Sequence, residues 1–339
     1  MTTDQRAPIE ETREVQPEDD SFFHHGRTFS PWWNESAWFG FMIPERKINA
    51  IFYMWHRPNM RMTSAGVALW DPYGEETHNI LYHDWYHFNA LKDDSDMFNY
   101  ELANGMKCTL LEPLYKYHLQ YSSKACDIDL IWQGVQKPQD LHFPRSKGFE
   151  HFGGFHYEQL GHITGTVRVE DEQIPVDCHH VRDHSWGIRE RMRRHPGGGL
   201  EMGWASEQTN FCITFVRPDP LAPLMDVSVD GPGYGQMTKD GKLGHVVSGE
   251  RRIVERRADG CPLRFEIDLK DEHGREMHAT GKMENNFNFD SIWFVHWGLV
   301  SWTIDGEEGW GETQDWFDQD QLRAQRRKAL IESGSKFGA

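Results

Sequence analysis

The sequence predicts an all-β protein made of two antiparallel barrel-like or sandwich-like units, closed by a short C-terminal helix. Three observations predict it. Apolar and polar residues alternate in short runs over most of the chain, the period of a half-buried strand. Turn signals built on Gly, Asn, Asp and Pro separate those runs. Helical periodicity appears mainly at the end. At 339 residues the chain is long enough for two such units.

Residues 1–20 are rich in Glu, Asp, Gln, Thr and Pro, so disorder is expected there. Residues 37–42 and 48–55 then read as strands flanking the turn Pro44-Glu45-Arg46-Lys47. Residues 99–102 and 106–111 flank Asn104-Gly105, a strong short-range hairpin signal. Cys126, Ile128, Leu130 and Trp132 alternate with Asp127, Asp129 and Ile131. Glu170-Asp171-Glu172 breaks the pattern, which places one unit at 21–172 and the second at 173–317. In the second unit Asp240-Gly241, Asp259-Gly260, His273-Gly274 and Asp305-Gly306 punctuate strand-like runs such as 263–269 and 292–303. Residues 318–339 hold the helix and a tail: Asp318 is a plausible N-cap for 319–332, with Leu322, Ala329 and Leu330 on one side.

Composition narrows the function classes. The net charge of −17 leaves no basic face to neutralise phosphates, so nucleic acid is not expected as a partner. Five widely spaced cysteines, none in a CxxC pair, fit reduced thiols in the cytoplasm. No apolar run reaches the length of a membrane span, and the polar, acidic start does not read as a signal peptide. With 14 Trp, 20 Phe and 10 Tyr, there are more rings than an aliphatic core needs, and some are expected to line a cavity. Pro196-Gly197-Gly198-Gly199 lacks the ending of a phosphate loop, and neither GxGxxG nor GxSxG is present, so nucleotide and redox cofactors are not expected.

The run His179-His180-Val181-Arg182-Asp183-His184-Ser185-Trp186-Gly187-Ile188-Arg189 carries the densest chemistry. Acid–base work needs groups whose charge is tuned by burial and neighbours, and this run packs such groups beside an indole. On a strand Asp183 and His184 point to opposite faces, so both reach one site only at a bend or bulge. A buried polar network, with Arg182 or Arg189 neutralising Asp183, is the structural alternative. His156 and Glu158 alternate on a probable strand and could face one cavity. In the stretch 293–312, Trp293, Val295 and Trp297 share a face opposite Phe294 and His296, and Trp310 and Glu312 follow. His179, His180, Asp183 and His184, or the pair His83 and His87, could instead hold zinc or iron, although HExxH is absent.

Tyr157-Glu158-Gln159 with Gly161 and Gly165, followed by Arg182-Asp183-His184-Ser185-Trp186-Gly187 and Arg189, resembles the carotenoid hydratase (hydroxyneurosporene synthase) superfamily. That group is similar to kievitone hydratase and to fungal Diels-Alderases, and the likeness here is nearest to uncharacterised bacterial members. It runs over roughly residues 22–317. The resemblance implies two lipocalin-like β domains with a ligand in a hydrophobic cavity. It also implies reactions without redox cofactors: water addition to an alkene, its reversal, or cyclisation. By motif position, Asp183, His184, Trp186 and Arg189 would be pocket residues.

Together these readings give a cofactor-independent hydratase, dehydratase or isomerase acting on a hydrophobic alkene, terpenoid, steroid or aromatic compound. Asp183, His184 and Glu158 are the expected catalytic residues. Trp186, Arg189, His156, His180, Trp297, Trp310 and Glu312 are the expected binding residues, with no metal. A lipocalin-like carrier of a greasy metabolite and a metal-dependent lyase or hydrolase remain as alternatives. A second copy of the chain stays open as a partner.

Overall fold

A computed structural model of the chain describes residues 13–22, 30–139, 154–189, 197–217, 229–290 and 293–334. The first sheet contains β1 (Trp33–Ile43), β2 (Ile48–Arg57), β3 (Met62–Trp70), β4 (Tyr82–Ala90) and β5 (Asn99–Glu101). It continues with β6 (Lys107–Glu112), β7 (Lys116–Ser122), β8 (Cys126–Gly134), β9 (Gly154–Val169) and β10 (Glu172–Ile188). These ten strands lie in the order β4-β3-β2-β1-β10-β9-β8-β7-β6-β5, and the sheet curls into a half-barrel.

The second sheet contains β11 (Gly198–Ser206), β12 (Thr209–Val216), β13 (Val229–Lys239), β14 (Lys242–Arg256) and β15 (Pro262–Asp271). It continues with β16 (Glu276–Met283), β17 (Phe287–Asp290), β18 (Phe294–Ile304) and β19 (Glu307–Phe317). Pairing of β16 with β18 closes eight of these strands into a barrel, leaving β17 on its rim. The architecture is thus all-β and lipocalin-like, with one helix, α1 (Gln319–Ser333), capped by the Asp318 side chain at Gln321 N–H. Of the expected apolar side of α1, Leu322 is buried against Phe294 and Phe317, whereas Leu330 is exposed.

Turn chemistry sets the registers. Asp240-Gly241 and Asp305-Gly306 have positive φ at both residues (52° and 69°; 49° and 91°), as two-residue hairpin loops of this hand require. The break at Glu170-Asp171-Glu172 is also a two-residue turn, between β9 and β10, here with positive φ at Glu170 alone (54°). The expected boundary at residue 172 therefore falls inside the first sheet, and the change of sheet comes after Ile188. A charged turn looks the same in sequence whether it joins two strands or two units.

The opening segment also departs from expectation. Residues 1–12 lie outside the described set, but 13–22 are ordered and enter the half-barrel. Asp20 is 1% exposed and accepts from the Tyr157 hydroxyl (2.6 Å), the Leu114 N–H (2.6 Å) and the Tyr117 hydroxyl. Arg182, fully buried, lies 3.5 Å from the same carboxylate and donates to Gln159 Oε1 at 3.0 Å. Its guanidinium also lies over the Tyr117 ring, 4.5 Å from the centroid. A composition argument averages over a segment and cannot see that one of its acids answers a buried arginine.

One face of the half-barrel packs on the outside of the barrel. Aromatic contacts make the seam: Trp38 with Trp297 (5.6 Å between centroids), Trp70 with Phe287 (5.2 Å) and Trp85 with Phe289 (6.0 Å). Polar clamps hold its edge, including Arg257 on both oxygens of Glu75 (2.5 and 2.6 Å) and Lys47 on Glu284 (2.6 Å).

Removing the carboxylate of Asp20 strands the Arg182 charge, and breaking a buried pair in this way costs about 3–5 kcal/mol. Asp20→Ala and deletion of residues 1–20 are both expected to lower the urea midpoint strongly. An unchanged midpoint would mean the segment is dispensable.

Candidate functional site

Alternation along β10 divides the sequence cluster between two compartments. Arg182, His184 and Trp186 face the half-barrel interior: His184 lies against Phe98 (5.5 Å), Tyr157 (5.6 Å) and Trp186 (4.8 Å), near Glu35. Trp186 stacks on Phe155 at 5.2 Å. Asp183 faces the other way, into the layer between the sheets. The expected grouping of Asp183 with His184 and Trp186 in one pocket is therefore corrected. The strand keeps its two-residue period through 182–186, so no bend turns His184 toward Asp183.

Register assembles the neighbours of Asp183 instead. Directly paired residues form a row across four strands, Tyr53 (β2), Trp38 (β1), Asp183 (β10) and Glu158 (β9), and side chains so paired share a face. Trp38 N–H donates to Asp183 Oδ1 at 2.9 Å. In the adjoining row His156 contacts Ser185 Oγ (3.1 Å) through Nδ1 and Glu158 Oε1 (3.3 Å) through Nε2. Arg189 lies over Ser36 Oγ at 3.5 Å, and Arg57 donates to the Arg189 carbonyl at 3.0 Å.

The facing wall comes from the outside of the barrel. Cys212, Met202, Glu312 and Leu299 form one row of paired residues; Thr214, Leu200, Gln314 and Trp297 form the next. Glu158 reaches this wall: Cys212 Sγ donates to Oε2 at 3.1 Å, and Thr214 Oγ1 lies 3.5 Å from Oε1. Glu312, fully buried, accepts from Asn49 Nδ2 (2.8 Å) and Gln314 Nε2 (2.9 Å), with His180 Nε2 at 3.3 Å. Gly40 leaves room for His180, since a Cβ there would fall 2.1 Å from its ring. Trp310 sits two residues from Glu312, paired with Trp204 and half-buried at the edge of this layer.

The electrostatics follow from enclosure. Asp183 keeps some accessible surface, yet burial pushes its carboxyl up to about 6. His156, the Trp38 N–H and Arg189 act in the opposite sense, and Glu158 adds to the rise. Asp183 is thus half-buried by accessible surface yet strongly desolvated by the groups packed around it. Burial also raises the Tyr53 hydroxyl and lowers Arg189, while Cys212 is driven far up by burial and by Glu158. The arrangement offers a proton donor, Asp183, beside a second carboxyl, Glu158, among aromatic rings.

Tyr53, Trp38, Cys212 and Asn49 escaped the sequence reading. Trp38 and Tyr53 lay on strands already expected at 37–42 and 48–55, but only cross-strand register places them beside Asp183. The three imidazoles proposed for a metal diverge: His179 stacks on Trp204 at 4.0 Å, His180 turns to Glu312 and His184 enters the half-barrel. Among the described residues no three His, Cys, Asp or Glu side chains gather as a metal centre would need. The second metal candidate is divided too: His83 lies near Phe287 (6.2 Å), and His87 contacts Ser64 Oγ at 2.9 Å. No described helix is long and apolar enough to cross a membrane.

Comparison with known proteins gives a family and a fold. The profile described as "Domain of unknown function (DUF7064)" matches residues 17–319. No curated protein matches the chain. Among solved structures, a candidate AttH from Nitrosomonas europaea is 14% identical, with a TM-score of 0.58, covering 92% of this chain and 99% of that one. CghA with Sch210972 is 9% identical at TM-score 0.58, covering 86% and 90%. Kievitone hydratase from Nectria haematococca is 11% identical at TM-score 0.53, covering 94% and 96%. At these identities the likeness concerns the fold.

The raised carboxyl of Asp183 has a consequence for stability. Between the unfolded value near 4 and the folded value of about 6 the native state binds the extra proton, so stability contributed by this group is present at low pH and lost as pH rises through 6. Asp183→Asn keeps an acceptor for the Trp38 N–H and cannot ionise. The variant is expected to melt a few degrees above the parent at pH 8 and level with it near pH 4, on the order of 1–2 kcal/mol after allowance for partial exposure. A parent that melts higher at pH 8 would contradict the assigned environment.

Proposed function

Because this chain belongs to the DUF7064 family, whose function is not assigned, we propose from the site itself that it is a cofactor-independent hydratase, dehydratase or isomerase acting on a hydrophobic substrate held between half-barrel and barrel. The observation that carries this reading is the Asp183 carboxyl, raised to about 6 by burial and paired across the strands with Glu158. A carboxylic acid that keeps its proton up to about pH 6, well above the ordinary aspartate range, is suited to alkene protonation. The fold shared with kievitone hydratase, and with CghA seen with a bound small molecule, supports the choice of reaction class.

In this reading Asp183 delivers its proton to one alkene carbon, and positive charge develops on the neighbouring carbon. The faces of Trp38, Trp55 and Tyr53 shelter that charge; Tyr53 and Trp55 stand 5.3 Å apart and Trp55 and Trp85 also 5.3 Å. Water adds to the cation, and Glu158 takes the proton that water releases. The proton then returns from Glu158 to Asp183 across the paired strands. Dehydration is the same path reversed, and isomerisation omits the water. Cys212, Thr214 and His156 position Glu158, and Arg189 orients Asp183. His184 and Trp186 serve the half-barrel core.

A panel of terpenoid, steroid and aromatic alkenes, read by mass spectrometry, is expected to yield a product differing by one water or an isomer of unchanged mass. Asp183→Asn is expected to lower turnover by about 10²-fold or more. The parent's kcat/KM should fall about tenfold per pH unit above the acid's value of about 6. Stoichiometric uptake of ligand with no change of mass or structure would identify a carrier instead, and full activity of Asp183→Asn would remove Asp183 from the reaction.

A further inference from the structure

The layer between the sheets contains buried polar atoms that the reaction above does not use. Trp38, Trp70 and Trp297 are each at most 3% exposed, and among the described residues their indole N–H groups have no hydrogen-bond partner. Asn49 is fully buried and donates its Nδ2 to Glu312, which leaves its Oδ1 without a partner. These groups are neighbours: Trp38 and Trp297 stand 5.6 Å apart, Trp70 and Trp297 5.9 Å, and Trp38 and His180 5.7 Å.

Leaving a buried donor unpaired costs about 1–3 kcal/mol. Three other tryptophans avoid that cost: Trp85 donates to Ser64 Oγ (2.9 Å), Trp302 to the Met202 carbonyl (2.9 Å) and Trp316 to Gln314 Oε1 (3.1 Å), whereas buried Trp132 in the half-barrel core carries it alone. Phenylalanine would fill the seam without the penalty. Three neighbouring indoles with unpaired N–H groups therefore leave donor capacity in this seam that the described residues do not satisfy.

The surroundings restrict the acceptor that would satisfy it. Val181 N–H donates to His180 Nδ1 at 2.9 Å, so the ring turns Nε2 toward Glu312 at 3.3 Å. Glu312 accepts hydrogen bonds from the neutral amides of Asn49 and Gln314, with Glu158 and Asp183 close by around Cys212. An anionic ligand group would meet these carboxyls in a dry layer and be repelled. A pure hydrocarbon would leave the indole N–H groups orphaned. A neutral oxygen with two lone pairs satisfies both conditions.

We infer that Trp38 and Trp297 form a carbonyl-recognition subsite, their indole N–H groups donating to the ketone-type oxygen of an otherwise hydrophobic ligand, with the Trp70 indole completing its donor rim. The subsite rests on the proposed location of the substrate, and it refines the substrate class from hydrophobic alkene to hydrophobic carbonyl compound. Trp38 is the cross-strand partner of Asp183 and donates its backbone N–H to that carboxyl, so the bound oxygen lies beside the proposed acid.

The test is a binding measurement and needs no turnover. Two matched pairs serve as probes, 2-acetonaphthone against 2-ethylnaphthalene and 5α-androstan-3-one against 5α-androstane, titrated into the full chain by calorimetry or tryptophan fluorescence. At least one ketone is expected to bind about tenfold more tightly than its hydrocarbon partner. Trp38→Phe and Trp297→Phe should each reduce that preference while leaving hydrocarbon affinity within about twofold, with circular dichroism confirming the fold. Equal affinities within each pair, binding of none of the four probes, or a preference that survives both substitutions would overturn the subsite. Activity of Asp183→Asn bears only on the reaction, so the two readings fail separately.

Discussion

The pairing of β10 with β1 and β9 is the constraint on which the rest of this molecule depends. A strand of period two sends successive side chains to opposite sides. The run from Arg182 to Trp186 therefore serves two environments at once. Arg182, His184 and Trp186 build the half-barrel interior, and Asp183 and Ser185 look out at the barrel. A slip of one residue would bury Asp183 beside Asp20 and expel Arg182. The Arg182–Asp20 network, with two tyrosine hydroxyls on the same carboxylate, fixes the register that presents Asp183 to the layer between sheets.

Stability and chemistry are separated accordingly. Buried charges in the interiors find opposite partners: Arg182 has Asp20, and inside the barrel Arg251 has Asp315 at 3.1 Å, whose carboxyl the neighbouring arginines hold low, although Glu201, 2.7 Å from Arg251, is itself pushed up to about 8 by burial. In the inter-sheet layer the balance differs. Asp183, Tyr53 and Arg189 are all displaced by burial toward their neutral forms, and Glu312 is held by uncharged donors. Groups kept in this way disfavour the fold and are suited to moving protons. The apolar seam of Trp38, Trp70, Trp297, Phe287 and Phe289 holds the two sheets together around them.

Much of the fold was legible because turn chemistry is local. Asn104-Gly105, Asp240-Gly241 and Asp305-Gly306 each mark a hairpin that the structure contains. What depends on distant partners was not. Glu170-Asp171-Glu172 reads as a break, and only the β9–β10 pairing reveals a hairpin inside one sheet. Asp20 reads as tail because its partners lie 94 to 162 residues away. Adjacency in sequence drew His184 and Trp186 toward Asp183, whereas register brings Tyr53, Trp38 and Glu158 to it. Cys212 and Glu312 come from a different sheet, and no spacing rule connects them to β10.

The account stands on the ionisation of one side chain. Carbon-detected NMR of the chain labelled with ¹³C-aspartate, with the Asp183 signal assigned by its loss in a single substitution, reports that titration directly. A midpoint of about 6 that falls when Glu158 is replaced by Gln is the result the structure predicts. A midpoint at the ordinary aspartate value near 4, unmoved by that replacement, would contradict the enclosed acid and the chemistry built on it.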